Sequence, residues 1–312
     1  MTNAESRLER HTVAPGIDLA VRRWSPPRGS QGRRFLLVHG LASNARMWDG
    51  VAAHLVGLGH EVAAVDQRGH GQSAKPDDGY DFTTVTDDLV ALIGSLGWTA
   101  TGDAAPVVAG QSWGANVVLE LSWRCPDLLA AAVLVDGGTI DLSTKFPTWE
   151  ACRKALAPPR TAGTPYEQIE GWMRDAHLDW PESGIQGSLA CFERRADGTA
   201  APWLTFERHM AILAALYGHR PAERYPDIGV PVTFLTADTS RSDVMGGASW
   251  TADKRRDVDA ALGLLPRGRA EWMVGDHDLH AQHPSEVAGI LLAAAADADA
   301  DRADPPSAGG AA

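Results

Sequence analysis

Six short apolar runs, Phe35–Val38, Val62–Val65, Val107–Ala109, Ala132–Val135, Val232–Leu235 and Trp272–Val274, recur along the chain with amphipathic stretches between them. Each run has the length and β-branched content of a strand. Their lack of polar alternation means that both faces must be covered, which is how parallel sheets behave. The stretches Val85–Leu96 and Asn116–Trp123 have helical periodicity and follow two of these strands. The expected class is α/β, a mainly parallel, doubly wound sheet with helices on both sides.

The alternation breaks once, between Asp141 and Asp227, where Trp149, Trp172, Trp180 and Trp203 sit among prolines, glycines and helical pieces. We expect a helical cap there, inserted after the strand that ends at Asp136. Its tryptophans either face a substrate or form the cap's own small core. The expected organisation is a discontinuous core of residues 1–140 and 228–293, a cap of 141–227, and a disordered tail of 294–312, whose Ala/Asp-rich low complexity argues against a packed element. At 312 residues with 44% apolar content, one domain with one insertion fits better than two independent domains.

A net charge of -12, with arginines dispersed among the acids, leaves no basic face for nucleic acid. Met1 to Arg10 is polar and charged, and no apolar run approaches the roughly 20 residues of a membrane span. A cytoplasmic protein acting on a small molecule is expected. Cys125, Cys152 and Cys191 are odd in number and outside any CxxC spacing, so they read as ordinary thiols. The oligomeric state leaves no mark on the sequence.

Chemistry concentrates in three places. In Val108-Ala109-Gly110-Gln111-Ser112-Trp113-Gly114-Ala115 an apolar strand runs through G-x-S-x-G into a helix, which is the signature of a nucleophile elbow. Ser112 then lies at a helix N-terminus, where backbone N–H groups favour developing negative charge. A second strand ends in Val38-His39-Gly40-Leu41-Ala42, and its loop can bring the Leu41 N–H beside that of Trp113 as two oxyanion donors. His39 itself is expected to brace this loop. The third stretch, Gly275-Asp276-His277-Asp278-Leu279-His280-Ala281-Gln282-His283, follows the last strand, and His277 is the candidate base. The same run mimics a metal site through His277, Asp278, His280 and His283. No further ligand cluster lies upstream, and the serine elbow already accounts for a histidine here, so neither metal nor cofactor is expected.

Together these stretches resemble the α/β-hydrolase family, and Val65-Asp66-Gln67-Arg68-Gly69-His70-Gly71-Gln72-Ser73 looks like that family's D-x-R-G-H-G-x-S turn. The resemblance covers about Phe35 to Leu292 outside the cap. It implies a triad in the order Ser, acid, His, and two positions compete for the acid. Most members take it after the penultimate strand, which here offers Asp238 two residues early and Ser240 in the expected place. Related esterases take it from the strand after the nucleophile helix, as Leu134-Val135-Asp136-Gly137-Gly138 would provide. We favour Asp136 over Asp238. The expected activity is a serine hydrolase of the esterase-like branch, cleaving a small apolar carboxylic ester or lactone through an acyl-enzyme on Ser112. Carbon–carbon bond hydrolysis, acyl transfer, and a non-hydrolytic binder or cyclase are the alternatives. Serine in place of aspartate at the elbow argues against epoxide and haloalkane chemistry.

Overall fold

The six apolar runs lie side by side in one eight-stranded sheet, the last of them at its edge, in the computed structural model, which describes residues 6–26, 32–98, 105–240 and 247–303. The strands are β1 (Arg7–Ala14), β2 (Ile17–Trp24), β3 (Arg34–Val38), β4 (Glu61–Val65), β5 (Val107–Gln111), β6 (Ala131–Val135) and, after a small hairpin of β7 (Phe192–Arg194) and β8 (Ala200–Pro202), β9 (Val232–Asp238) and β10 (Gly268–Val274). In space the order is β1-β2-β4-β3-β5-β6-β9-β10. Within this sheet, among the described residues, only the β1–β2 and β2–β4 pairings are antiparallel. The strand leading to Ser112 therefore lies mid-sheet, with covered neighbours on either side.

Helices α1 (Asp49–Gly57), α2 (Phe82–Ser95) and α3 (Trp113–Arg124) follow β3, β4 and β5. Between β6 and β9 come α4 (Leu142–Lys145), α5 (Trp149–Leu156), α6 (Tyr166–Ala176), α7 (Glu182–Leu189) and α8 (Phe206–Gly218), and the chain closes with α9 (Gly247–Leu262), α10 (Leu279–Gln282) and α11 (Pro284–Ala303). Period-two alternation sorts each strand between two cores. Leu36, Val38, Val108, Leu134 and Phe234 pack with Val85, Leu89, Val117 and Val118 of α2 and α3. Phe35, Leu37, Val107, Val133 and Leu235 pack on the opposite face with Val51, Leu55, Val287 and Leu291 of α1 and α11. Each such fully buried Leu, Ile, Val or Phe contributes about 1.5–3 kcal/mol, so the two cores hold the sheet as a rigid platform.

Two features differ from expectation. The hairpin of β1 and β2 escapes the apolar-run criterion because β1, with the sequence RLERHTVA, is an edge strand carrying exposed charges. The expected disorder from 294 onward is corrected for residues 294–303, which α11 includes. Alanine is the best helix former, and Ala294, Ala295 and Ala298 fall on one face and bury against the sheet, while Asp297 and Asp299 pair with Arg269 and Arg33. A composition that looks unable to pack thus supplies a close-fitting helix face. Residues 304–312 lie outside the described residues.

The segment 141–227 is helical apart from the β7–β8 hairpin. Ile169, Trp180, Ile185, Leu189 and Ala200 form a small core there that rests on Met47 and Ala281. Trp149 packs against Tyr217, whereas Trp172 is 48% exposed. Among the described residues, no helix is long and apolar enough to cross a membrane.

Candidate active site

Ser112 occupies the single residue between β5 and α3, with φ +53° and ψ -122°. A side chain at positive φ is strained, and the surrounding packing enforces the turn. A Cβ on Gly110 would lie 2.3 Å from the Gly114 carbonyl oxygen, and one on Gly114 would lie 2.3 Å from that of His39. Glycine at both positions is what lets strand, helix and neighbouring loop meet at the serine.

That neighbouring loop is Val38–Ala42. A Cβ on Gly40 would sit 2.3 Å from Gln111 Oε1 and 3.1 Å from Ser112 Cβ, so the loop backbone lies directly against the elbow. Buried His39 braces it by donating from Nδ1 to the Gly40 carbonyl at 2.7 Å and accepting the Gln67 N–H at Nε2 at 3.0 Å. Burial lowers the His39 pKa, and those two roles require the neutral ring. His70 Nε2 accepts the Ala42 N–H at 3.3 Å. Neither the Leu41 N–H nor the Trp113 N–H has a protein acceptor among the described residues. As the first residue of α3, Trp113 has no intrahelical acceptor to give its hydrogen to.

The turn after β4 has structural duties. Asp66 accepts the N–H groups of Ala45 and Gln72 at 2.7 and 2.8 Å, and Arg68 makes a buried two-pronged ion pair with Asp88 of α2 at 2.5 and 2.7 Å.

His277 follows β10, and its Nδ1 lies 2.6 Å from Asp136 Oδ2. Asp136, just past β6 at φ +41°, has a carboxylate only 1% exposed. Its Oδ1 accepts the Ala237 N–H at 3.0 Å, and Lys254 of α9 donates to Oδ1 and Oδ2 at 2.7 and 2.8 Å. Burial alone would push the Asp136 carboxyl up, but the hydrogen bond from His277 and the charges of His277 and Lys254 outweigh it and hold the group ionised. For His277, burial acts downward and is outweighed by Asp136, with a smaller upward contribution from Asp278, so its pKa is raised. Asp238, the competing carboxylate, makes no hydrogen bond to the imidazole. It caps its own turn through the Ser240 N–H at 3.0 Å and pairs with Arg255 at 3.2 Å.

Ser112, His277 and Leu41 line one cavity of about 240 Å³, together with Gln111, Met47 and Trp180. Among the described residues, no hydrogen bond joins Ser112 to the imidazole. Ala42, Ser43, Met173 and Cys191 also border a larger chamber of about 460 Å³ lined mostly from the segment 141–227, with walls that include Phe192, Trp203, Leu204 and Phe206. Burial pushes the Cys191 thiol up to about 12, so at neutral pH it is neither a nucleophile nor a thiolate.

Three contributors have no sequence signature. Gln111 Nε2 donates to the His277 carbonyl at 3.1 Å and ties the histidine loop to the elbow. Trp180 Nε1 donates to Asp276 at 2.8 Å and anchors the segment 141–227 to the same loop. Lys254, on Asp136, lies in a run of mixed charges that looks like an ordinary solvated helix face. His280 is fully buried beside Trp48 with a ring separation of 4.3 Å, and burial pushes it down to about 3, a packing role. Among the described residues, no three His, Cys, Asp or Glu side chains gather to hold a metal ion.

A family model described as the alpha/beta hydrolase family matches residues 35–290. The chain belongs to that family. This alpha/beta hydrolase is 25% identical over 255 residues to a 2-(acetamidomethylene)succinate hydrolase of Mesorhizobium japonicum, covering 81% of this chain and 87% of that protein. Lipase LipV of Mycobacterium tuberculosis matches locally, at 37% identity over 122 residues, or 38% of this chain and 42% of that one. A thioesterase domain from the curacin biosynthetic pathway superposes with a TM-score of 0.71 at 19% identity, covering 92% of this chain and 99% of that domain. At that identity the likeness speaks for the fold.

Proposed function

We propose that this alpha/beta hydrolase cleaves carboxylic esters with an apolar acyl or alcohol group, through an acyl-enzyme on Ser112. The observation that carries the reading is the 2.6 Å contact between Asp136 and His277 Nδ1, with Ser112 in the same cavity. Nδ1 donates to the carboxylate, so Nε2 is the ring atom left to accept a proton.

In this mechanism Ser112 Oγ bonds to the substrate carbonyl carbon as its proton passes to His277 Nε2. The carbonyl oxygen becomes an oxyanion, received by the free N–H groups of Leu41 and Trp113, each worth about 3 kcal/mol in the transition state. Asp136 stabilises the imidazolium that forms. Collapse breaks the bond to the alcohol oxygen, which takes the proton from Nε2, and a water activated by the same nitrogen releases the acid. The apolar chamber beside the cavity supports an acyl or alcohol group with apolar surface to bury.

Hydrolysis of p-nitrophenyl esters of graded acyl length tests the reading. Expected is faster cleavage of medium-length chains than of acetate, with kcat/KM rising with pH through one ionisation above the ordinary histidine value of about 6.5, because only the neutral imidazole acts as base. Failure to cleave any ester in the series would count against it.

A further inference from the structure

Lys254 is engaged entirely at the acid of the proposed triad. Its ammonium donates to both oxygens of Asp136, at 2.7 and 2.8 Å, and to the Ala237 carbonyl at 3.3 Å, which uses all three of its hydrogens. Its side chain is 16% exposed. The other charges on that stretch of α9 turn elsewhere: Asp257 to Lys145, Asp253 to Arg256, and Arg255 to Asp238. Asp136 thus has the Lys254 ammonium on one side and the imidazole on the other.

The arrangement has two physical consequences. Lys254 and the Ala237 N–H together fix the plane of the carboxylate, so Oδ2 stays aimed at His277 Nδ1. The ammonium also draws on the negative charge that would otherwise stabilise the imidazolium, and it repels that imidazolium directly. The charged and titratable groups that bear on His277 are Asp136 from the end of β6, Asp278 beside it in the loop, Lys254 from α9, and buried His280 from α10, which stays neutral. Asp136 and Asp278 favour the protonated ring, and Lys254 opposes them.

We propose that Lys254 is a positioning residue that clamps the Asp136 carboxylate and sets the pH at which His277 becomes free to accept the serine proton. The proposal rests on the reading of Ser112, His277 and Asp136 given above. With the ammonium present, the imidazole is neutral at lower pH than Asp136 and Asp278 alone would allow. The enzyme keeps an oriented triad acid and still works below the pH that the carboxylates would impose.

The test is the second-order rate of inactivation by a fluorophosphonate from pH 5 to 9 in wild type, Lys254→Met and Lys254→Arg. Methionine matches the length and helix propensity of lysine without its charge. The expected result is an acid-limb midpoint higher by about one pH unit in Lys254→Met and close to wild type in Lys254→Arg. A midpoint in Lys254→Met equal to wild type overturns the proposal, even if the rate falls at every pH, because a purely structural loss scales the whole profile. If Lys254→Met does not fold, Lys254→Gln carries the same comparison. Failure of the underlying reading shows differently, as a wild type that never reacts at Ser112.

Discussion

The substitution Asp136→Asn is expected to lower kcat/KM for the proposed ester cleavage by about 10,000-fold, and Asp238→Asn to change it by less than about twofold. The contrast follows from where the two carboxylates point. His277 Nδ1 lies 2.6 Å from Asp136, and an amide NH2 in that place would donate to Nδ1 and put the ring proton on Nε2, where the serine proton has to go. The amide oxygen of the new side chain could still accept from Ala237 and Lys254, so the variant is expected to fold. Asp238 interacts with the Ser240 N–H and Arg255, and on the proposed mechanism it takes no part in proton transfer. Steady-state kinetics beside a thermal melt of each variant check both halves. Equal losses from the two substitutions would return the assignment of the acid to an open question.

A methyl group on Gly114 is expected to cost at least about 3 kcal/mol, a large share of the 5–15 kcal/mol that holds an ordinary domain together. The new Cβ would meet the carbonyl oxygens of His39 at 2.3 Å and Val38 at 2.8 Å. Those atoms are backbone, on a strand hydrogen-bonded on both sides and a loop locked by Gln67, so no side-chain rotation relieves the contact. The first turn of α3 would have to lift away from β3, taking the Trp113 N–H with it. Gly57→Ala is the control, because a Cβ there meets nothing within 4 Å and alanine favours the helix. Urea unfolding is expected to show a lower midpoint for Gly114→Ala and an unchanged or higher one for Gly57→Ala.

The parts of the molecule that could be read from sequence are those where one local requirement dominates. Strands covered on both faces must be largely apolar, which is why β3, β4, β5, β6 and β9 stand out, whereas β10, at the sheet's other edge, shows only the short run Trp272–Val274. The elbow stands out because its backbone admits only glycine at 110 and 114. Edge strand β1 has no such requirement and takes charged residues, and the C-terminal half of α11 packs through alanines that composition alone equates with disorder.

In the candidate site, Ser112, His277, Leu41 and Trp113 carry local signatures. The proposed acid does not. β6 and β9 are adjacent and in register from Ala132 with Val232 to Val135 with Leu235, so both strands deliver a carboxylate to the same end of the sheet. What distinguishes them is three-dimensional: the positive φ of Asp136 and the Ala237 N–H beside it, against an Asp238 side chain folded onto its own turn. Lys254 was illegible for a related reason. Its neighbours from Asp253 to Asp257 pair with other charges, and nothing in the run Asp253-Lys254-Arg255-Arg256-Asp257 tells which cation points inward.

The most direct measurement of the serine mechanism is the intact mass of the protein after exposure to a fluorophosphonate, which reports an activated nucleophile without requiring a chosen substrate. One adduct per chain on the wild type, absent from Ser112→Ala, is the predicted result. A wild type of unchanged mass, or an adduct that persists in Ser112→Ala, would contradict the account.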